Sequence, residues 1–123
     1  MAENSSNTAS GSHRSGVKRL IIMRHAEADW GLNDFDRPLT RRGHEQAAAA
    51  GAWLASRGYI PEQIMSSSAL RTRQTTTWVS DGLGAKAPTA HLDEGLYEVS
   101  ASRIISRINS VSENVHSLMV VSH

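Results

Sequence analysis

The sequence of 123 residues contains no cysteine. Disulfide bonds, thiolate metal sites and cysteine nucleophiles are therefore excluded. It also lacks a long apolar run, because the longest one near the start, residues 20–23, is far too short to span a bilayer. Residues 1–16 contain no hydrophobic stretch that could form the core of a signal peptide. We therefore expect a cytoplasmic protein with no membrane partner.

An excess of charge of one sign is missing as well. The 13 Lys and Arg residues are balanced by 12 Asp and Glu residues, which gives a formal net charge of +1. Nucleic-acid binding needs a concentrated basic surface, so no nucleic-acid partner is expected. The glycine patterns that bind nucleotide phosphates in P-loop and dinucleotide-binding proteins are also absent. Any preference for an anion must come from a few arginines around one site.

The residues that are present fit one small domain. Residues 1–16 are rich in Ser, Asn and Gly and predict a disordered tail, which leaves residues 17–123 as the folded domain. Apolar patterns predict strands at 18–23, 63–66, 89–92 and 117–122, with helices at 40–57 and 69–81. A third helix follows a cap at Ser100, and its expected apolar stripe comprises Ile104, Ile105, Ile108 and Val111. This order predicts an α/β protein with three layers, α/β/α, and a mostly parallel sheet.

Ligands of such sheets bind beyond the carboxyl ends of the strands. The first strand delivers Arg24 and His25 to that edge, and the last strand delivers His123. The second strand ends in the polar run 66–68. The same edge of the sheet should therefore hold an arginine, two histidines and a polar turn.

Five segments resemble, in order, the signature motifs of the histidine phosphatase (phosphoglycerate mutase-like) superfamily. They are 20–27 (LIIMRHAE), 36–43 (DRPLTRRG), 67–75 (SSALRTRQT), 92–97 (LDEGLY) and 120–123 (VVSH). Ala26 stands where the family usually has glycine. The short interval between the two motif histidines resembles the compact SixA-like branch, whose members act on phosphohistidine in proteins. Family members continue past the second histidine, so the resemblance implies a domain that is incomplete at its C-terminus.

The resemblance assigns a role to each motif residue. His25 would be the nucleophile, which suits a neutral imidazole near pH 7. Arg24 and Arg71 would hold the phosphate oxygens through their planar, permanently charged guanidinium groups. His123 would donate to the phosphate and help to position His25. Arg37 is a weaker candidate for a phosphate or substrate contact.

The proton donor has more than one candidate. Glu94 matches the family position, and Glu98 and Glu27 are the alternatives. A phosphoester substrate needs such an acid, whereas the leaving imidazole of a phosphohistidine can already carry a proton. The remaining expectations are structural: Arg73, His44, His91 and His116 should be solvated, Tyr97 should pack, and Gly43 and Gly51 should allow close packing of helices.

Two classes of function remain open at this point. The resemblance implies a phosphatase that needs no metal or cofactor and hydrolyses a phosphomonoester or a protein phosphohistidine through a phosphorylated His25. Its partner would be a phosphorylated protein or a small phosphometabolite. The alternative is a protein that binds phosphate or a phosphoprotein, or carries a phosphoryl group, without hydrolysis.

Overall fold

The computed structural model describes residues 18–30, 33–97, 101–111 and 113–123. The tail predicted for residues 1–16, the cap at Ser100 and the alternative acid Glu98 lie outside the described residues. The strands are β1 (Arg19–Arg24), β2 (Gln63–Ser67), β3 (Ala90–Asp93) and β4 (Ser117–Ser122). The α-helices are α1 (Arg41–Ser56), α2 (Leu70–Leu83) and α3 (Ala101–Asn109), and two short 3-10 helices cover Asp34–Asp36 and Glu94–Leu96.

The four strands form one sheet in the order β1-β4-β2-β3, and every neighbouring pair is parallel. The last strand in the sequence thus lies between the first and the second. Arg24 at the end of β1 pairs with Ser122 at the end of β4, and Ser66 of β2 pairs with Val121. The strand ends that carry the motif residues consequently meet at one edge, which confirms the predicted parallel sheet.

Alternate residues of the central strand β4 divide the core into two halves, as the two-residue period of a strand requires. Met119 and Val121 pack with the apolar side chains of α1 and α2. Leu118 and Val120 pack on the other side with Ile108 of α3. Helices therefore cover both faces of the sheet, and the α/β/α layering predicted from the sequence is confirmed.

The first two helices pack in close contact through their glycines. A Cβ atom on Gly51 would lie 2.1 Å from the carbonyl oxygen of Val79, and one on Gly82 would lie 2.1 Å from that of Ala48. The expectation for Gly51 is confirmed. Gly43 instead lies against the carbonyl of Glu27, so it allows close approach of the loop after β1 rather than of a second helix.

Helix α2 contains three consecutive threonines, which disfavour a helix on propensity alone. The hydroxyl of each donates to the carbonyl four residues earlier, at 2.7 Å for Thr75, 2.9 Å for Thr76 and 3.0 Å for Thr77. Thr75 and Thr76 are buried. Because their hydroxyls find partners within the helix, Thr75 and Thr76 can be buried without an unpaired polar group. The packing of α2 on the rest of the protein then outweighs the weak propensity.

The apolar stripe expected on α3 is partly wrong. Ile108 and Val111 are buried, but Ile105 is 57% exposed. Ile105 follows Ile104 directly, and two adjacent positions on a short helix cannot both face the sheet.

Within the described residues, no helix combines the length and the apolarity needed to cross a bilayer.

Candidate active site

The two motif histidines meet where β1 and β4 end. Their ring centroids are 5.7 Å apart, and the ring planes are inclined by 59°. The backbone N–H of His25 donates to the carbonyl of Ser122 at 3.0 Å, which continues the ladder between the two strands. The parallel pairing of the first and last strands is therefore what brings these histidines together.

His25 is held in one orientation by its own loop. Its Nδ1 lies 2.8 Å from the carbonyl oxygen of Ala26. A carbonyl can only accept, so the proton of the neutral ring is on Nδ1, and the Nε2 lone pair is available to an electrophile. The backbone N–H of Ala26 in turn donates to the hydroxyl of Thr75 at 3.0 Å, which fixes this loop to α2.

The surroundings of His25 favour the neutral form of its imidazole. Burial lowers its pKa from the ordinary value of 6.5, the hydrogen bond to Ala26 opposes this, and the positive charges of Arg71, Arg24 and Arg37 lower it further. The structure thus brings all three predicted arginines within electrostatic reach of the predicted nucleophile.

His123 is held by neighbours on two sides. Its Nε2 lies 2.7 Å from the hydroxyl oxygen of Ser67 at the end of β2, and the ring of Tyr97 meets it edge-on at 5.3 Å. Burial, with the charges of Arg71 and His25, lowers its pKa to about 4, and Asp34 opposes the shift. When the Ser67 hydroxyl donates to Nε2, the ring proton is on Nδ1 and is free to donate to a phosphate oxygen.

Arg71 lies in the first turn of α2 with a side chain that is only 7% exposed. Its Nη1 donates to the carbonyl oxygen of Asp34 at 2.6 Å, and its Nη2 donates to a carboxylate oxygen of Asp34 at 3.1 Å. The Nε atom is buried and has no hydrogen-bond partner, and among the described residues it is the one side-chain polar atom in that condition. An unpaired buried donor is costly unless a ligand supplies the acceptor.

Asp34 was not predicted from the sequence. Besides Arg71, its carboxylate accepts from the hydroxyl of Tyr97 at 2.5 Å and from Nη1 of Arg37 at 3.3 Å. These partners lower the pKa of Asp34 to about 2, and the hydrogen bond from the Tyr97 hydroxyl is the largest cause. No local signal separates Asp34 from Asp36, because the partners Arg71 and Tyr97 are 37 and 63 residues away in the sequence.

The remaining candidates differ in their exposure and in their hydrogen-bond partners. Arg24 is exposed at the end of β1, and Arg37 donates through Nε to the carbonyl of Asp29 at 3.0 Å. Glu94 is exposed in the 3-10 helix after β3, at the same edge of the sheet, and among the described residues no hydrogen bond or ion pair joins it to His25. The carboxylate of Glu27 accepts from the hydroxyl of Thr40 at 2.8 Å, next to the start of α1.

Two expectations for surrounding residues, those for Arg73 and His44, need correction, and the one for Tyr97 is incomplete. Arg73 is partly buried, and its Nε donates to the carbonyl of Ser68 at 2.9 Å. His44 stacks on Trp78 with ring centroids 4.9 Å apart. Tyr97 packs edge-on against Phe35 as expected, but its hydroxyl also donates to Asp34. His91 and His116 are exposed, as predicted.

Comparison with known sequences assigns the chain to a family. The family model of the histidine phosphatase superfamily (branch 1) matches residues 20–123. An uncharacterised protein of Mycobacterium tuberculosis is 39% identical over 103 residues, which cover 82% of this chain and 62% of that protein. A 2,3-bisphosphoglycerate-dependent phosphoglycerate mutase of Chelativorans is 32% identical over 84 residues, which cover 64% of this chain and 41% of the mutase. The chain thus spans less than two thirds of the length of these relatives.

Solved structures agree with the family match. A protein named as the phosphohistidine phosphatase SixA of Agrobacterium tumefaciens superposes with a TM-score of 0.79 at 32% identity, over 87% of this chain and 70% of that one. The protein histidine phosphatase SixA in complex with tungstate gives a TM-score of 0.75 at 29% identity, over 85% and 68%. The chain belongs to branch 1 of the histidine phosphatase superfamily and has its fold.

Proposed function

We propose that this protein is a phosphatase in which His25 takes the phosphoryl group of its substrate. The observation that carries the proposal is the state of His25: its Nδ1 lies against the carbonyl of Ala26, its Nε2 is left as the nucleophile, and three arginine charges act on it. A nucleophile beside several cations is what transfer of an anionic phosphoryl group requires.

In the first step, the Nε2 lone pair of His25 attacks phosphorus and the bond from phosphorus to the leaving group breaks. Arg71, Arg24 and Arg37 stabilise the charge on the non-bridging oxygens during the transfer. The neutral His123 donates its Nδ1–H to one of these oxygens, since its Nε2 accepts from the Ser67 hydroxyl. The electron pair of the broken bond goes to the leaving group. An imidazole keeps the proton that it already carries on its other ring nitrogen, whereas an alkoxide takes up a proton from water.

In the second step, water attacks phosphorus of the phosphorylated His25. The phosphorus–nitrogen bond breaks, its electron pair returns to Nε2, and inorganic phosphate is released while the water proton passes to solvent. His25 is neutral again at the end, because burial and the three arginines disfavour its protonated form. The arginines supply the positive charge throughout, so the proposed reaction does not use a metal ion.

The substrate class that we favour is phosphohistidine on a protein. Support comes from the two SixA structures, which cover most of this chain at 32% and 29% identity. The exposure of Glu94 points the same way, since a phosphoester would need a well-placed acid, whereas an imidazole leaves readily once it is protonated. Small phosphomonoesters are the second substrate class.

Phosphate release from a phosphohistidine peptide and from an alkyl phosphomonoester, with a chelator present, tests the proposal. We expect release from the peptide by the wild-type chain, loss of release in His25→Ala, and a Glu94→Gln variant that still hydrolyses the peptide. His91→Ala, which alters an exposed histidine outside the site, serves as the control. Undiminished release by a folded His25→Ala would refute the proposal. A stable phosphorylated His25 with no release would identify a phosphocarrier instead.

A further inference from the structure

The guanidinium group of Arg71 offers two edges to an oxyanion. One edge carries the terminal nitrogens Nη1 and Nη2, and the other carries Nε and Nη2, so each can make two parallel hydrogen bonds. Asp34 occupies the first edge with its carbonyl oxygen at 2.6 Å from Nη1 and its carboxylate oxygen at 3.1 Å from Nη2. The second edge is left with an Nε atom that is buried and has no hydrogen-bond partner.

Asp34 is itself held from several directions. The carboxylate oxygen that accepts from Arg71 also accepts from the Tyr97 hydroxyl at 2.5 Å, and the other carboxylate oxygen accepts from Arg37 at 3.3 Å. The side chain of Asn33 caps the 3-10 helix that begins at Asp34 by accepting from the backbone N–H of Asp36. One carboxylate therefore joins two of the arginines to the tyrosine whose ring contacts His123.

We infer that Asp34 is a positioning residue that turns Arg71 so that its Nε edge faces the phosphate. The inference rests on the proposed function, since it assigns Arg71 to the phosphate of that reaction. The orphaned Nε gains its acceptor when phosphate binds, and Asp34 keeps its hold on the opposite edge. Tyr97 acts one step further out, by fixing the carboxylate that fixes Arg71.

A carboxylate beside a phosphate site also has an adverse effect, because it repels the anion. Three guanidinium charges act on His25, and the carboxylate of Asp34 is paired with two of them, so these four groups together keep a net positive charge that attracts phosphate. The two effects predict opposite results when the carboxylate is removed. If repulsion were dominant, phosphate would bind more tightly. If orientation is dominant, phosphate binds more weakly.

The test is the calorimetric affinity of the whole chain for inorganic phosphate. Loss of a charge-assisted hydrogen bond predicts that Asp34→Ala weakens binding by roughly tenfold. Asp34→Asn keeps an oxygen acceptor in the same place and should stay within about threefold of wild type. Tyr97→Phe keeps the ring contacts and removes only the hydroxyl, so it should fall between the two. Asp81→Ala, an exposed acid at the far end of α2, should bind like wild type.

Equal or tighter binding of phosphate by Asp34→Ala would overturn the inference and would make Asp34 a competitor for Arg71. The ¹⁵N resonance of Arg71 Nε gives a readout that does not depend on catalysis. We expect a slowly exchanging Nε–H signal in the wild type and a faster exchanging one in Asp34→Ala, in which only the backbone carbonyl of residue 34 still holds Nη1. An equally ordered signal in both would also overturn the inference. Absence of phosphate binding by the wild type would instead refute the proposed function, and the Nε signal would still decide whether Asp34 orients Arg71.

Discussion

The hydroxyl of Thr75 connects the loop of His25 to the helix of Arg71: it accepts from the backbone N–H of Ala26 at 3.0 Å and donates to the carbonyl of Arg71 at 2.7 Å. Thr75 is buried, so neither bond can be replaced readily by water. The proposed nucleophile and the arginine proposed to bind phosphate thus share one fixed point.

Thr75→Val tests that connection. Leaving the part-buried Ala26 N–H without an acceptor should cost about 1 kcal/mol of the free energy of unfolding, and the freed loop should lower kcat. Urea unfolding and steady-state kinetics measure the two effects. Thr77→Val is the matched control, because its hydroxyl makes the same bond within the helix but is exposed. Equal losses of stability and of kcat in the two variants would show that the hydrogen bond from Ala26 contributes nothing of its own.

The charge environment of His25 gives a prediction for its titration. Because the positive charge of Arg71 lowers the pKa of His25, Arg71→Gln should raise that pKa toward 6.5. NMR titration of the His25 ring proton measures it directly. Arg73→Gln removes a guanidinium that is not among the charges acting on His25, and it should leave the pKa unchanged. A pKa in Arg71→Gln at or below the wild-type value would contradict the account.

The titration of His123 affects stability. Burial lowers its pKa to about 4 in the folded protein, whereas the unfolded chain binds a proton near pH 6.5. Between these pH values the unfolded state binds more protons than the folded state. The contribution of His123 to the free energy of unfolding therefore grows as the pH rises and is lost as the pH falls from 6.5 toward 4.

His123→Gln should therefore flatten the dependence of stability on pH within that window. Urea unfolding at intervals across it, with a reference at pH 7, makes the comparison. Part of the slope should remain, because the pKa of His25 is shifted in the same direction. Identical slopes in the variant and the wild type would show that His123 keeps its ordinary pKa in the folded state.

Two glycines should differ in what an added methyl group costs. The Cβ of Gly51→Ala would lie 2.1 Å from a backbone oxygen of α2. We expect the free energy of unfolding to fall by about 2–3 kcal/mol, because the two helices would be overpacked. Gly58 has open space but a φ of 72°, so Gly58→Ala should lose only about 1 kcal/mol from backbone strain. Urea unfolding ranks the two. A smaller loss for Gly51→Ala would mean that the helices can separate freely.

The sequence predicted the framework of the site because that framework depends on local patterns. Apolar runs located the strands, and the parallel topology placed Arg24, His25 and His123 at one edge. The motif of the second helix led to Arg71. These predictions needed no knowledge of which side chains touch each other. The cytoplasmic location, by contrast, stays a prediction.

The contacts made between distant segments could not be predicted in the same way. Asp34 acquires its contacts only when the fold brings Arg71 and Tyr97 to it, and the nearby Asp36 has the same side chain. Ile105 was predicted to be buried because it is apolar, although a short helix can turn only one narrow stripe of side chains toward the sheet. Arg73 and His44 found partners in Ser68 and Trp78, which composition could not reveal.

The most direct test of the account is to trap the phosphorylated intermediate. Wild-type protein mixed with a phosphohistidine peptide is quenched in alkali, which preserves phosphohistidine, and the digested chain is mapped by mass spectrometry. We predict a phosphoryl group on the peptide that contains His25, present in the His91→Ala control and absent from His25→Ala. Phosphate release without any phosphorylated His25, or a phosphoryl group on another residue, would contradict the account.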